Sequence, residues 1–256
     1  MAMRLEALKF IRCPACKGPL RLTAKRAVRG EVLDGYLSCL GCGLKFGIHN
    51  GLPSLLAPGC LRAANWLSRL LYDVYAPFYD RLEARLARSL GFSEGELREE
   101  IASYLDLSGH ESVLEVCVGT GGNLPYIRAR TDGLVAGLDI SREMLRVCQA
   151  KARELGLDAH LFMGCAERLP FKDGFFDRVL IGGGISYFSD PRAALAEARR
   201  VASDGGLVIV FEQVTALERL LKRELMPLRY LPKGLKPIGL KWLFKRRFYL
   251  LKLACQ

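Results

Sequence analysis

Val113-Leu114-Glu115-Val116-Cys117-Val118-Gly119-Thr120-Gly121-Gly122-Asn123 is an apolar run that leads into a glycine-rich turn and carries a carboxylate within it. Val113, Leu114, Val116 and Val118 suit a strand buried on both faces, while Gly119 and Gly121 permit a tight turn and close approach of backbone to a ligand. A helix is expected from about Asn123 to Arg130. Strand, turn and helix together form the first βα unit of a doubly wound sheet, in which ligands lie across the carboxyl ends of the strands. The dinucleotide pattern Gly-x-Gly-x-x-Gly is not met, because no third glycine stands near Tyr126.

The segments that follow strengthen the reading by their order. Leu134 to Ile140 is a second apolar strand, and it ends in Asp139, 24 residues after Glu115, where an acid meets ribose hydroxyls in such sheets. Ser141 can cap the next helix, whose Met144, Leu145, Cys148 and Ala152 share one face. Leu161 to Met163 closes a third strand, and Phe176-Asp177 opens a fourth that runs through Ile181. Asp190-Pro191 has the form of an N-cap followed by a first-turn proline, for a helix that ends near Asp204-Gly205-Gly206; Leu207 to Glu212 is a fifth strand.

Across residues 70 to 212 the chain resembles the class I S-adenosylmethionine (SAM) dependent methyltransferases, including those of quinone biosynthesis. The resemblance rests on Leu-Glu-Val-Cys-Val-Gly-Thr-Gly from Leu114, Gly-Leu-Asp-Ile-Ser-Arg-Glu-Met-Leu from Gly137, Ala-Glu-Arg-Leu-Pro-Phe-Lys-Asp-Gly-Phe-Phe-Asp from Ala166 and Glu-Ala-Arg-Arg-Val-Ala-Ser-Asp-Gly-Gly from Glu197, in the family's order. It implies an α/β, doubly wound Rossmann-like sheet with SAM as cofactor. Glu115, Gly119, Thr120 and Gly121 would shape the methionine and ribose end, together with Val116, Cys117, Asn123, Gly182 and Tyr79. Asp139, beside Ile140 and Met144, would bind ribose, and Cys165 with Ala166 and Glu167 would flank adenine. Two positions depart from the family. Cys117 stands where a glycine is usual, and Cys165 where an aspartate accepts from the adenine amino group. A thiol is a weak acceptor, so the departure implies weaker binding or an adenine held by backbone and apolar contacts.

Ahead of this core lie Cys13-Pro14-Ala15-Cys16 and Cys39-Leu40-Gly41-Cys42, separated by 22 residues. Paired thiols at this spacing read as a four-thiolate structural zinc site, with redox pairs as the alternative. Leu20 to Leu37 alternates apolar and polar residues and contains Asp34-Gly35, a hairpin signal. So small a segment lacks a sufficient core, and metal binding would supply much of its folding free energy. Phe46 to Leu56 looks like the close of the zinc-ribbon activator of transfer-RNA methyltransferases, and a ribbon ahead of a methyltransferase core also resembles certain ribosomal-RNA guanine methyltransferases. His49 is not expected to be a ligand, since four cysteines complete a tetrahedron.

The expected organisation is a zinc ribbon over residues 1–57, a helical cap over 58–110 and the methyltransferase domain over 111–256, with Pro53 to Gly59 as linker. Leu61 to Leu90 has helical periodicity broken at Pro77. Its Tyr72-Asp73 and Tyr79-Asp80 either cover the methionine end of the site or form an aromatic stripe against the sheet. Phe92 to Leu107 is a further helix. The fourth strand ends in Gly182-Gly183-Gly184, without the Asn/Asp-Pro-Pro-Tyr of amino-directed adenine methyltransferases. With no Pro-Cys nucleophile either, DNA base modification is not expected. Tyr187 and Glu212 stand near strand ends, and no general base is assigned.

Charge is uneven along the chain. Residues 1–57 carry nine Lys/Arg against three Asp/Glu and residues 214–256 eleven against two, leaving 18 against 22 between them. Basic ends on a mildly acidic core point to a polyanionic partner, either RNA or an anionic membrane surface. The resemblance calls for a helix over Thr215–Leu228 followed by a hairpin, Leu240–Phe244 and Phe248–Ala254. An amphipathic membrane helix is the alternative for that last stretch. No signal pattern and no apolar run of roughly 20 residues occurs, and the thiols suit a reducing compartment, so a cytoplasmic protein is expected, if membrane-associated then peripherally. The expected function is methyl transfer to a small-molecule or membrane-associated, lipid- or quinone-like acceptor. An RNA methyltransferase and a noncatalytic SAM-fold scaffold or activator are the alternatives.

Overall fold

A computed structural model describes residues 2–60, 63–214 and 225–256. The N-terminal segment is an antiparallel sheet of β1 (Met3–Arg4), β2 (Leu20–Val28), β3 (Glu31–Cys39), β4 (Lys45–His49) and β5 (Leu52–Pro53), with β3 at its centre. The β2–β3 hairpin turns at Arg29-Gly30, both in the left-handed region, and not at Asp34-Gly35. Asp34 sits inside β3, where its carboxylate accepts from Arg26 and from the Asn50 N–H. A side chain at position 35 would collide with the Thr23 carbonyl, so the Asp-Gly pair marks a close backbone approach across the sheet rather than a reversal.

This segment does not stand apart from the rest. The fully buried Phe10 ring lies against Phe162, Phe171, Phe175, Phe176 and His160 of the larger domain. The Arg12 N–H donates to the Pro170 carbonyl, and the Lys172 N–H to that of Phe10. The expected linker is likewise pinned. Ser54 forms a bridge to Met163, and the Leu55 N–H donates to the Met163 carbonyl. Leu55 is fully buried, and the strand edge that would otherwise be open is covered.

The cap follows as α1 (Ala63–Tyr75), a 3-10 turn over Ala76–Phe78, α2 (Tyr79–Ser89) and α3 (Glu94–Ser103). Pro77 falls in the turn, where its missing N–H and fixed φ end α1. The Leu61 and Arg62 at the expected helix start lie outside the described residues. α3 opens with a capping box, the Ser93 hydroxyl accepting from the Glu96 N–H and the Glu96 carboxylate from that of Ser93.

The large sheet is built from β6 (Val113–Val116), α4 (Leu124–Arg128), β7 (Val135–Asp139), α5 (Arg142–Glu154), β8 (His160–Met163), β9 (Phe176–Gly182), α6 (Pro191–Val201), β10 (Ala202–Gln213), β11 (Leu235–Leu243) and β12 (Phe248–Cys255). Strand order is β11-β12-β10-β9-β6-β7-β8, and only β12 runs against the rest. All four residues of β6 are buried, as a central strand covered on both faces requires. Ser141 and Asp190 cap α5 and α6 as expected, accepting from the Met144 and Ala193 N–H groups. The topological switch point lies between β6 and β9, directly beyond the glycine turn.

The C-terminal stretch is the hairpin, not an amphipathic helix. Phe244, Lys245 and Arg246 all take left-handed φ, a conformation their types resist, and the Phe244 ring stacks on Phe92 with centroids 4.1 Å apart. Alternate residues of β12 then face the two sides of the sheet, so Leu251 is core rather than membrane-facing. Several cations of this stretch are engaged within the molecule. Lys241 bonds Glu100, Lys252 bonds Asp106, and the Arg246 guanidinium lies 4.3 Å from the Trp242 ring centre. Most of the expected 215–228 helix lies outside the described residues; Met226–Tyr230 form a 3-10 turn.

Candidate active site

A cavity of about 520 Å³ lies at the carboxyl ends of β6, β7, β9 and β10, roofed by the cap. Ten of the residues expected to hold SAM line it: Tyr79, Val116, Cys117, Gly119, Asp139, Ile140, Met144, Ala166, Glu167 and Gly182. Asp139 organises one wall. Its carboxylate accepts from the Gly119 N–H at 2.8 Å and from the Ser141 N–H at 2.9 Å, tying the glycine turn to the start of α5.

Glu115, Thr120, Gly121 and Asn123 lie behind that wall. Glu115 is 1% exposed, with one carboxylate oxygen accepting from the Asn123 amide at 2.5 Å and Oε2 without a partner. Burial pushes its carboxyl up to about 7, against the pull of Asn123 and Arg98. Thr120 donates to Asp80 at 2.6 Å, and Lys151 pairs with the same carboxylate, so the turn is fastened to α2. Gly121 has φ +78°, and a Cβ there would meet the Cys148 sulfur at 2.6 Å. No other residue fits that position.

Cys165 does not line the cavity. Its thiol is turned to the Glu167 carboxylate, at 2.8 Å, and to the Cys60 carbonyl, in a small apolar cluster with Ala57 and Cys60. A weak acceptor gains more from that packing than from the wet cleft. The polar edge on this side is Glu167, which also accepts from the Ser189 N–H. Cys117, in the usual glycine position, adopts φ 63° and puts its sulfur into the cavity beside Gly184.

Of the remaining walls, the sequence marked Tyr72 as one of two alternatives and Tyr187, Glu212 and the Gly182–Gly184 turn by their place near strand ends; the other residues it did not single out. Tyr72 and Tyr75 come from the inner face of α1, and Glu83 and Arg98 from α2 and α3. Tyr187, Phe188, Phe211 and Phe248 make the opposite wall aromatic. Glu212 is buried and accepts from the Gly184, Ser186 and Gln213 N–H groups, which holds the Gly182–Gly184 turn in place. The available signal was Tyr-Asp repeated at 72–73 and 79–80, two helical turns apart. Asp73 accepts from the Ser141 hydroxyl at 2.5 Å and from the Glu143 N–H at the start of α5, while Asp80 bonds Thr120. Each aspartate fastens the cap while its tyrosine neighbour faces inward.

The cavity's electrostatics favour a cation. Burial raises the carboxyls of Glu115, Asp139, Glu212 and Glu83, with Arg98 the one basic side chain among the lining residues. Burial also raises the Tyr72 and Tyr79 hydroxyls, which stay protonated and available as donors.

The second site is the four-thiol cluster. The sulfurs of Cys13, Cys16, Cys39 and Cys42 lie within 4.8 Å of one another, with Cys13 to Cys42 at 3.6 Å and Cys16 to Cys39 at 3.4 Å. A tetrahedral zinc with bonds of 2.3 Å needs sulfurs about 3.8 Å apart, so the donor set fits zinc. Burial pushes the Cys39 thiol up, but N–H groups of Cys42 and Gly41 and the Cys16 thiol outweigh it and bring it to about 6. Cys39 is thereby prepared as a thiolate ligand.

This combination, a cavity over the switch point of a seven-stranded sheet beside a four-thiol ribbon, defines a class I methyltransferase fold with a small four-thiol appendage. Residues 113–206 match the family model of the methyltransferase domain, and residues 4–51 that of the Trm112p-like proteins. The chain therefore carries a methyltransferase domain preceded by a Trm112p-like domain. A demethylmenaquinone methyltransferase of Lactiplantibacillus plantarum is 34% identical over 146 residues, which is 56% of this chain and 60% of that protein's length. Among solved structures, the cyclase SpnF superposes with TM-score 0.61 at 16% identity, covering 76% of this chain and 97% of that one. A chain from the complex between the Haloferax volcanii Trm112 methyltransferase activator and a methyltransferase does so with TM-score 0.56 at 16% identity, covering 72% and 97%. These two likenesses establish the fold alone; a cyclase on the same fold shows why chemistry is argued from the site.

Proposed function

We propose that the chain is a SAM-dependent methyltransferase acting on a quinone-like aromatic acceptor. The observation that carries the reading is the division of the cavity into an acidic wall at Asp139, with Glu115 behind it, and an aromatic wall at Tyr72, Tyr187, Phe211 and Phe248. Asp139 is suited to ribose hydroxyls, since each carboxylate oxygen keeps a lone pair beyond its backbone bond. Ile140 and Ala166 suit the two faces of adenine, and Glu167 offers an acceptor at its edge. Glu115 is suited to a positive charge through its unpartnered oxygen. When bound, SAM supplies an electrophilic methyl group on sulfur, and the chain's own contribution is proximity and orientation for in-line attack. The aromatic wall would stack a flat ring, and the Gly182–Gly184 turn leaves room for it.

The name of the Lactiplantibacillus plantarum relative supports a quinone-like acceptor, although the chain spans only 60% of that protein's length. The Trm112p-like segment favours a second reading, an RNA methyltransferase or a scaffold that uses the fold for assembly. Incubation with labelled SAM and either a demethylated naphthoquinol or bulk RNA separates the readings. Label in the quinol is expected. Label in RNA, or SAM binding without transfer to any acceptor, would overturn the proposal.

A further inference from the structure

α1 and α2 wear their charges and apolar groups in an inverted order. Asp73, Asp80 and Glu83, the acids of Arg69 to Ser89, bond the methyltransferase domain or line its cavity. Arg81, Arg85 and Arg88 are exposed, and among the described residues no acid pairs with them. Between them lies an apolar stripe in steps of about four residues, which places it on one side of the helix pair. Leu71 is 62% exposed, Val74 73% and Phe78 57%, and Leu82 and Leu86 continue the line. A monomer in water gains nothing from such a face, and a contiguous apolar patch of this kind marks an interaction surface.

We propose that this outer face of the cap docks on an anionic lipid bilayer. Apolar residues interleaved with arginines and free of acids, on helices whose other side bonds the domain and lines its cavity, match a headgroup region that is negative outside and apolar a few ångströms below. The C-terminal hairpin is a poorer candidate, since Lys241, Lys252 and Arg246 are held within the molecule. The same helices carry Tyr72, Tyr75 and Tyr79 on their inner face, so a docked bilayer lies roughly one helix diameter, about 10 Å, from the cavity. An acceptor dissolved in the membrane then reaches the site without crossing water. That last step rests on the quinone-like reading; the docking itself does not.

Co-sedimentation with phosphatidylcholine vesicles, with and without phosphatidylglycerol, tests the docking in the absence of SAM and acceptor. The parent protein should bind the anionic vesicles and release them as salt rises. Replacing Arg81 and Arg85 together by Gln should lower partitioning on the order of 30-fold, because each cation at such a surface contributes about fivefold. Val74→Ser with Phe78→Ser should lower it by about tenfold or more. Ile238→Ser with Leu240→Ser, on exposed positions of β11, should change it less than about twofold, since that face stays in water. Absence of parent binding, equal losses in the β11 control, or a stable dimer that Phe78→Ser dissociates would overturn the proposal. Vesicle binding with no methyl transfer to a quinol would leave the docking standing and remove the acceptor reading instead.

Discussion

Glu115→Gln isolates the electrostatic cost built into the cavity's rear wall. Burial raises the Glu115 carboxyl from its ordinary 4.5 to about 7; the Asn123 amide and the Arg98 charge oppose the rise without cancelling it, and Oε2 has no partner. Below pH 4.5 the side chain is neutral in both folded and unfolded chains, and no penalty exists. As pH rises the unfolded chain ionises first, so stability falls progressively and levels off above pH 7. That rise in the Glu115 carboxyl corresponds to about 3 kcal/mol lost at pH 8. Gln keeps the acceptor for Asn123 and cannot ionise.

Urea unfolding of parent and variant, with metal present, at steps from pH 4.5 to 8 measures this directly. The variant's stability relative to the parent should rise by about 3 kcal/mol over that range. Asp139 and Glu212, whose carboxyls burial also raises, are common to both proteins and cancel in the difference apart from the repulsion between Asp139 and Glu115. SAM carries a positive sulfonium, which favours ionised Glu115. Its affinity should therefore increase with pH more steeply in the parent than in the variant, which keeps Asp139, Glu212 and Glu83. A difference curve flat to within about 0.5 kcal/mol would refute the assignment of a buried, under-supported carboxylate.

Asp139→Ala should weaken SAM binding by about 1.5–3 kcal/mol, the range for a hydrogen bond to a charged group, and calorimetry reads it. Because Asp139 also holds the Gly119 and Ser141 N–H groups, Asp139→Asn should recover part of the stability but less of the affinity. One zinc per chain is expected by elemental analysis, and Cys39→Ser should abolish it. Since Phe10 joins the ribbon to the main core, chelation should lower the thermal midpoint of the whole chain in one transition. Cys117→Gly should stabilise the fold by about 1 kcal/mol, the cost of holding a non-glycine residue in the left-handed region, as denaturant unfolding will show.

The large sheet was legible because its strands are buried on both faces and so read as unbroken apolar runs, punctuated by Asp139 and by the Asp190-Pro191 cap. The four-thiol cluster was legible because a site that suits zinc fixes residue type and local spacing together. The expectations that failed depended on contacts distant in sequence. Asp34-Gly35 looks like a turn in isolation, yet the Thr23 carbonyl lies where its glycine would carry a side chain, and the chain reverses at Arg29-Gly30 instead. The C-terminal hairpin that the resemblance called for is present, but its turn is not legible locally: Phe244, Lys245 and Arg246 carry no turn signal, and their left-handed backbone accompanies a ring stack on Phe92, some 150 residues earlier. Cys165 has the right place in the motif, but its thiol packs toward Cys60, which the linker brings back over the sheet edge.

The cap shows the same limit and its consequence for function. Helical periodicity finds α1 and α2 but cannot say which of their two stripes faces the sheet, because both contain large apolar side chains. Asp73 and Asp80 decide it by bonding Ser141 and Thr120, which turns the tyrosines toward the cavity and leaves Leu71, Val74 and Phe78 in solvent. Two short polar contacts thus orient the whole roof. Their geometry places an aromatic lining and an arginine-flanked apolar exterior on opposite sides of one helix pair, the arrangement that the proposed docking on a bilayer requires.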